Sequence, residues 1–250
     1  MDSTTRFGDR AADYARFRPS YPRALVEAML DGFVAPDVAD LGAGTGISAA
    51  LLAACGARVY AVEPNAPMRE AIAPNTAVTP LDATAEATTL ADASVDVVTA
   101  FQAYHWFDAD RVLRETARIA RPRARFVAVW NERDLDDAFT AAYQRVIDRY
   151  ILDDTERARI AREDTVDADL RRHGWSDVRS VAIRHERRLD WETLVGFSRS
   201  ASYLPKTGAA YDAMVAELRA LFASVPAGDA RFVLLATAHI GERDEAALVE

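Results

Sequence analysis

Two acids flank a run of glycines. Residues 38–46 read Val38-Ala39-Asp40-Leu41-Gly42-Ala43-Gly44-Thr45-Gly46, and Glu63 follows Gly44 by nineteen positions. Gly42 and Gly44 let the backbone approach a ligand where a Cβ would clash. The N–H groups opening a helix after this turn suit a polar or anionic group. An acid placed like Glu63, at the end of the next strand, can accept hydrogen bonds from both hydroxyls of a ribose. The spacing misses the dinucleotide pattern G-x-G-x-x-G by one residue, because the third glycine is Gly46 and position 47 is Ile47. Asp40, two residues ahead of the first glycine, would sit near a pyrophosphate in that reading. It suits instead a ligand that is cationic at this point, such as one with an amino group.

Other candidates are scattered. His105 is one of four histidines, with His173, His185 and His239. With a single cysteine, Cys55, they offer no metal-ligand spacing, and no metal is expected. His105 has the side chain to take a proton from a hydroxyl or amine; it equally suits a packed role with its imidazole bonded to backbone. Arg133 and Arg199 are each placed to hold a carboxylate, and each also suits a surface ion pair.

These residues need a scaffold. Asp37–Leu41, Arg58–Val62, Ala77–Leu81, Val95–Phe101 and Phe126–Trp130 read as strands. Between them lie helices at Thr45–Cys55, at Ala66–Ile72 capped by Asn65, and from Asp108 to Ala120. Such alternation implies a parallel sheet wound by right-handed crossovers. A helix over about 21–32 precedes it, with Pro22 in its first turn. After Trp130 the periodicity changes. Phe139, Tyr143, Val146, Ile147 and Tyr150 share one helical face. A short polar helix is expected near 155–163, a strand at Val178–Arg184 and a helix at Trp191–Phe197. An amphipathic helix over Tyr211–Phe222 and a strand at Phe232–Ile240 follow.

The bulk numbers bound the function. The chain has 250 residues, half of them hydrophobic, 28% charged and a net charge of −9. An acidic chain without a basic block argues against binding a phosphate backbone, so no nucleic-acid partner is expected. No apolar run approaches the roughly 18–20 residues of a membrane span, so no membrane partner is expected. The single cysteine and a start without an apolar stretch fit a cytoplasmic protein.

Taken in order, the motifs resemble a family. Asp40-Leu41-Gly42-Ala43-Gly44-Thr45-Gly46 is followed by Val62-Glu63-Pro64-Asn65 with Met68. Thr84-Ala85-Glu86, Asp92-Ala93-Ser94-Val95-Asp96 and Gln102-Ala103-Tyr104-His105-Trp106-Phe107-Asp108 come next. The run is similar to the class I S-adenosylmethionine-dependent methyltransferases, in the small-molecule "type 11" branch that includes relatives of trans-aconitate methyltransferase. Phe7, Tyr14 and Arg18-Pro19-Ser20-Tyr21-Pro22 resemble the start of that branch. Ala83 stands where the family often has glycine.

The resemblance implies a Rossmann-like, seven-stranded mixed sheet in the order 3-2-1-4-5-7-6, with helices on both faces and a helical cap. It implies one domain: N-terminal lid helices (1–34), a cofactor-binding core (35–134), a cap with a late strand (135–230) and the last strand (231–250). It implies S-adenosylmethionine as cofactor. Gly42, Ala43 and Gly44 would run along its methionine part, Asp40 would meet its amino group directly or through water, and Glu63 would hold the ribose. Pro64 and Met68 would flank the adenine, with Thr84 and Ala85 at its edge. Gln102 would lie beside the sulfonium. Tyr14 and Arg18 would close over the cofactor, or belong to a surface helix packed by its aromatics. Trp106, Arg133, Arg199 and Tyr203 would face the acceptor.

The implied reaction is methyl transfer to a small organic molecule, with a carboxylate or hydroxyl oxygen preferred over nitrogen. The alternatives are an NAD-dependent oxidoreductase, a cofactor-binding protein without transferase activity, and another displacement on the sulfonium such as cyclisation. The expected assembly is a monomer or homodimer.

Overall fold

The computed structural model describes residues 16–152 and 165–244. Seven strands form one mixed sheet in the order β3-β2-β1-β4-β5-β7-β6. The strands β1 (Asp37–Leu41), β2 (Arg58–Val62), β3 (Val78–Leu81), β4 (Val95–Phe101) and β5 (Ala120–Arg133) are parallel. β7 (Arg231–Glu242) lies antiparallel between β5 and β6 (Ser176–Arg188). This is the architecture and strand order expected above.

The chain winds outward from β1 to β3, then crosses back to lay β4 on the other side of β1. The loops leaving β1 and β4 therefore diverge, and a crevice opens at the carboxyl ends of these two strands. All five residues of β1 are buried, as a central parallel strand requires. Alternate residues on either face feed two cores. Phe126, Ala128 and Trp130 of β5 join one, and Val127 and Val129 join the other.

The helices are α1 (Arg23–Leu30), α2 (Ile47–Ala54), α3 (Ala66–Glu70), α4 (Ala109–Ile119), α5 (Ala138–Asp148), α6 (Val166–Arg172), α7 (Trp191–Ser200) and α8 (Gly208–Ala223). Capping acts where side chains permit it. Asn65 accepts from the Met68 N–H at 3.0 Å, and Asp108 from the Arg111 N–H at 3.0 Å. Each such cap contributes about 1 kcal/mol. The helices α5, α7 and α8 pack with β7 around a third core, which holds Tyr143, Phe197, Met214, Leu218 and Phe232.

Several bounds differ from the sequence reading. β5 begins at Ala120, directly after α4, and not at Phe126. Pro122 ends the helix as expected, yet the chain is already extended there. The left-handed backbone of Arg123 (φ 65°) absorbs the turn. β6 reaches Arg188 because an edge strand tolerates the polar run His185-Glu186-Arg187-Arg188. The helix expected near 155–163 lies outside the described residues, as does Tyr14. Among the described residues no helix is long and apolar enough to cross a membrane. No group of three or more metal-ligating side chains is found among them either.

Candidate active site

The glycine turn is held from both sides. Gly42 and Ala43 donate their N–H groups to the Val62 carbonyl, at 2.9 and 3.1 Å. Gly42, Gly44 and Gly46 all have positive φ (68°, 57° and 81°), a region that L side chains enter at a cost. The three are not equivalent. A Cβ on Gly42 would stand 2.8 Å from the Ala103 Cβ, and one on Gly46 would stand 3.0 Å from Ile72. A Cβ on Gly44 would meet nothing within 4 Å. The protein therefore needs Gly42 for its own packing, whereas at Gly44 the backbone is bare towards open space.

Both acids around the turn are buried. The two carboxylate oxygens of Glu63 accept from Gly44 N–H at 2.9 Å and Asn65 N–H at 2.8 Å. Burial raises the Glu63 pKa, and those two N–H bonds and Arg69 offset part of the rise. Arg69 also donates to the Glu63 carbonyl and pairs with Asp82 at 3.0 Å.

Asp40 lies beneath the turn, fully buried. It accepts from the Ser48 hydroxyl at 2.6 Å and the Thr99 hydroxyl at 2.9 Å. It is not on the cavity wall; Ser48 stands between it and the opening. So the structure shows Asp40 bracing β1, α2 and β4 together, and any reach to a ligand's amino group runs through Ser48 or a water.

Burial drives the Asp40 pKa from 3.8 up to about 6. Below pH 4 both folded and unfolded chains hold this proton. Between pH 4 and 6 only the folded chain does so, and above 6 the buried carboxylate must ionise. Stability relative to Asp40→Asn is therefore expected to fall by about 2–3 kcal/mol from pH 4 to pH 7. Urea unfolding of both proteins at the two pH values measures this, and parallel pH profiles would refute it.

A cavity of about 360 Å³ opens beside the turn. Gly42, Ala43, Gly44, Ile47 and Ser48 form one end, and Phe101, Gln102, His105 and Trp106 continue it. Gln102 has left-handed backbone (φ 50°), a strain of order 1 kcal/mol that turns its side chain across the strand ends. Its amide donates to the Asn131 carbonyl at 3.3 Å. His105, in a single 3-10 turn over Tyr104–Trp106, is 4% exposed. Its ring lies 5.1 Å from Trp106 and 6.4 Å from Trp130 between centroids.

The far end is built by the cap. Arg133 of β5 bonds Gln144 of α5, reaches the Tyr203 hydroxyl at 3.5 Å and lies over the Tyr143 ring at 5.7 Å. Burial alone would raise the Tyr203 pKa, but the Arg133 guanidinium brings it below the ordinary phenol range. Tyr143 is pushed up to about 12, chiefly by burial. Its hydroxyl donates to Ser198, whose own proton goes to the Leu194 carbonyl.

The segment before α1 forms a further wall. Arg18 lines the cavity, bonds the Ser200 carbonyl at 3.3 Å and lies over Phe197. Phe17 rests on Gly196 of α7, where an added Cβ would stand 2.4 Å from its ring. Asn131 ties the same segment down, donating to the Ser20 carbonyl at 3.3 Å and accepting from His185 at 2.9 Å.

The structure thus gathers Gly42, Ala43, Gly44, Gln102, His105, Trp106, Arg18, Arg133 and Tyr203 around one cavity. Glu63, Pro64, Met68, Thr84 and Ala85 do not line it. Glu63 meets it only through Gly44, and Thr84 bridges Ala87 in a small turn. Arg199 corrects the sequence reading. It lies on the exposed side of α7, because Phe197, Ser198 and Ser200 occupy the inward positions. Its place beside the cavity is taken by Arg18. Sequence reasoning did not find Tyr21, Asn131, Gln144 and Leu234. Only the alternation of Asn131 and Arg133 along β5 hinted that both lie on one face.

A family described as a methyltransferase domain matches residues 39–128. An uncharacterized methyltransferase of Mycobacterium tuberculosis is 42% identical over 136 residues, 53% of this chain and 55% of that protein. An uncharacterized methyltransferase-like protein of Schizosaccharomyces pombe is 30% identical over 151 residues, 58% of each chain. The match thus spans little more than half the length of these relatives. A structure described as a type II methyltransferase from Anaeromyxobacter dehalogenans superposes with a TM-score of 0.69 at 29% identity, covering 92% of this chain and 98% of that one. The fold is also that of Haemonchus contortus phosphoethanolamine N-methyltransferase 2 bound to S-adenosylhomocysteine. Here the TM-score is 0.58 at 13% identity, over 95% of this chain and 57% of that one.

Proposed function

We propose that the chain is a class I S-adenosylmethionine-dependent methyltransferase that methylates a small organic molecule on oxygen, a reading supported by its match to a methyltransferase domain over residues 39–128. The observation that carries the cofactor half of this reading is Gly44. Its backbone is open to the cavity, and its N–H is held by a buried carboxylate at the end of β2. That arrangement fits a ligand with both a zwitterionic chain and a ribose.

The residues present fit S-adenosylmethionine. Gly42, Ala43 and Gly44 would hold its methionine part, with Gln102 beside it. Arg18 would meet the carboxylate end. Glu63 would hold the ribose, and Pro64, Met68, Thr84 and Ala85 the adenine. The bound cofactor supplies a methyl group already activated for displacement. The chain's task is then to hold the acceptor in line and exclude water; good positioning contributes several kcal/mol. His105 faces the cavity and would take the proton of a hydroxyl acceptor. Trp106, Arg133 and Tyr203 would contact that acceptor. A cytoplasmic small-molecule enzyme, monomeric or dimeric, fits this reading.

Incubating the protein with S-adenosylmethionine and a panel of hydroxylated, carboxylic and amine compounds tests it. Release of S-adenosylhomocysteine together with an O-methylated product is expected. An N-methylated product would reassign the acceptor atom. Methylthioadenosine would indicate a different displacement, and binding of NAD in place of the sulfonium would overturn the reading.

A further inference from the structure

Arg133 stands out among the cavity residues. It is an arginine on the wall of the cavity, its hydrogen bonds go to neutral side chains, and the nearest carboxylate acting on it, Asp148, is bonded instead by the Gln144 amide. Nε is taken by Gln144, and one N–H of Nη2 by Tyr203. Among the described residues no carboxylate forms an ion pair with it. Glu132, the one carboxylate on the cavity wall among the described residues, is itself exposed. Gln144 and Tyr143 hold the guanidinium from α5, so its remaining N–H groups are fixed in direction. A planar, pre-positioned fork of this kind matches a carboxylate better than any neutral group.

Its position along β5 adds a length. Gln102 bonds the Asn131 carbonyl, and Arg133 lies two residues further on. At about 3.3 Å per residue the Arg133 Cα lies about 7 Å further along β5 than that of Asn131, and its guanidinium turns towards Gln144 and Tyr203 of the cap. Trp106, Trp130, Phe197 and Leu234 give the same cavity a large apolar, mostly aromatic surface.

We propose that Arg133 anchors a carboxylate of the acceptor, and that the acceptor is a small, flat carboxylic acid methylated at its opposite end. This rests on the transferase reading above. The accepting hydroxyl lies at the other end of the acceptor, beside Gln102 and His105. Its proton passes to His105 and then to solvent. The oxygen lone pair forms the new C–O bond as the methyl–sulfur bond breaks, and the pair of that broken bond stays on sulfur, which becomes a neutral thioether. The anchoring carboxylate is unchanged, so the product is an ether acid and not an ester.

The test uses protein saturated with S-adenosylhomocysteine and two probes of one shape, 4-hydroxyphenylacetate and its neutral amide. Calorimetry on wild type is expected to show the acid binding about tenfold tighter than the amide or better. Arg133→Gln is expected to reduce the acid to the amide's affinity, and Arg133→Lys to fall between, since it keeps charge without the fork. Affinity for S-adenosylhomocysteine should stay within about twofold of wild type in both variants, because Arg133 lies beyond the cofactor end. Equal binding of acid and amide by wild type, binding of neither, or full acid affinity in Arg133→Gln would overturn the proposal. If Arg133→Gln does not fold, Arg133→Lys and the wild-type comparison still decide. Arg133-dependent acid binding by a protein that fails to bind S-adenosylhomocysteine would sink the transferase reading and leave the anchor standing.

Discussion

Glu63→Ala is expected to weaken S-adenosylhomocysteine binding about a hundredfold. In this structure the carboxylate stands at the end of β2, buried, with one oxygen on Gly44 N–H and the other on Asn65 N–H. Each oxygen has a second lone pair, and a ribose diol needs two acceptors of this kind. Two charge-assisted bonds at about 1.5 kcal/mol each give about 3 kcal/mol, or roughly two decades in affinity. Alanine also frees the Gly44 N–H, so the turn loosens where it meets the ligand. Glu63→Gln keeps one acceptor oxygen and should lose about tenfold. Isothermal titration of folded wild type and both variants measures this. An alanine variant within about threefold of wild type would show that the ribose lies elsewhere.

Gly42→Ala is expected to be the most damaging single methyl in the turn. Its φ of 68° imposes about 1–2 kcal/mol on any L side chain. The new Cβ would also stand 2.8 Å from the Ala103 Cβ and 3.2 Å from the Phe107 ring. An alanine Cβ has no rotamer to escape into, so β1 and the loop after β4 must separate, at about 1–3 kcal/mol more. The sum, about 2–5 kcal/mol, is a large share of the stability of an ordinary domain. In a chain of this size it lowers Tm by about 5–15 °C. Gly44→Ala bears only the backbone term, since its Cβ meets no protein atom. It should melt within a few degrees of wild type while binding S-adenosylhomocysteine poorly. Differential scanning calorimetry beside the titration separates the two. Equal melting temperatures for the two variants would mean that β1 and β4 can part at no cost.

These two residues illustrate what the sequence discloses. A short buried strand running into glycines has few alternatives, so β1, β2 and β4 were predicted with the bounds they have. Asn65 and Asp108 were legible as caps because capping is a local bond. The glycine turn and the acid that holds it were legible for the same reason, since they follow one another in order along two strands. The far wall of the cavity was not. It is assembled from Arg18, Arg133, Gln144, Phe197, Tyr203 and Leu234, which no periodicity links. Which arginine faces inward depends on the phase of α7, and a single step places Arg199 outside and Ser200 inside. Asp40 was read as a ligand group, yet Ser48 and Thr99 enclose it. Those two hydroxyls come from α2 and β4, and only the folded sheet brings them together.

The third core has a consequence for how such a chain can change over generations. Phe197, Tyr203 and Leu234 belong to or pack against a cluster that shares no member with the two cores flanking β1 and β4. Substitutions in separate clusters act nearly independently on stability, and apolar clusters tolerate repacking when their volume is kept. One wall of the cavity can therefore be recut while the glycine turn and its acids stay as they are. A duplicated copy of this gene would need only a few changes among α5, α7 and β7 to reshape that wall, and it would start with the glycine turn already built.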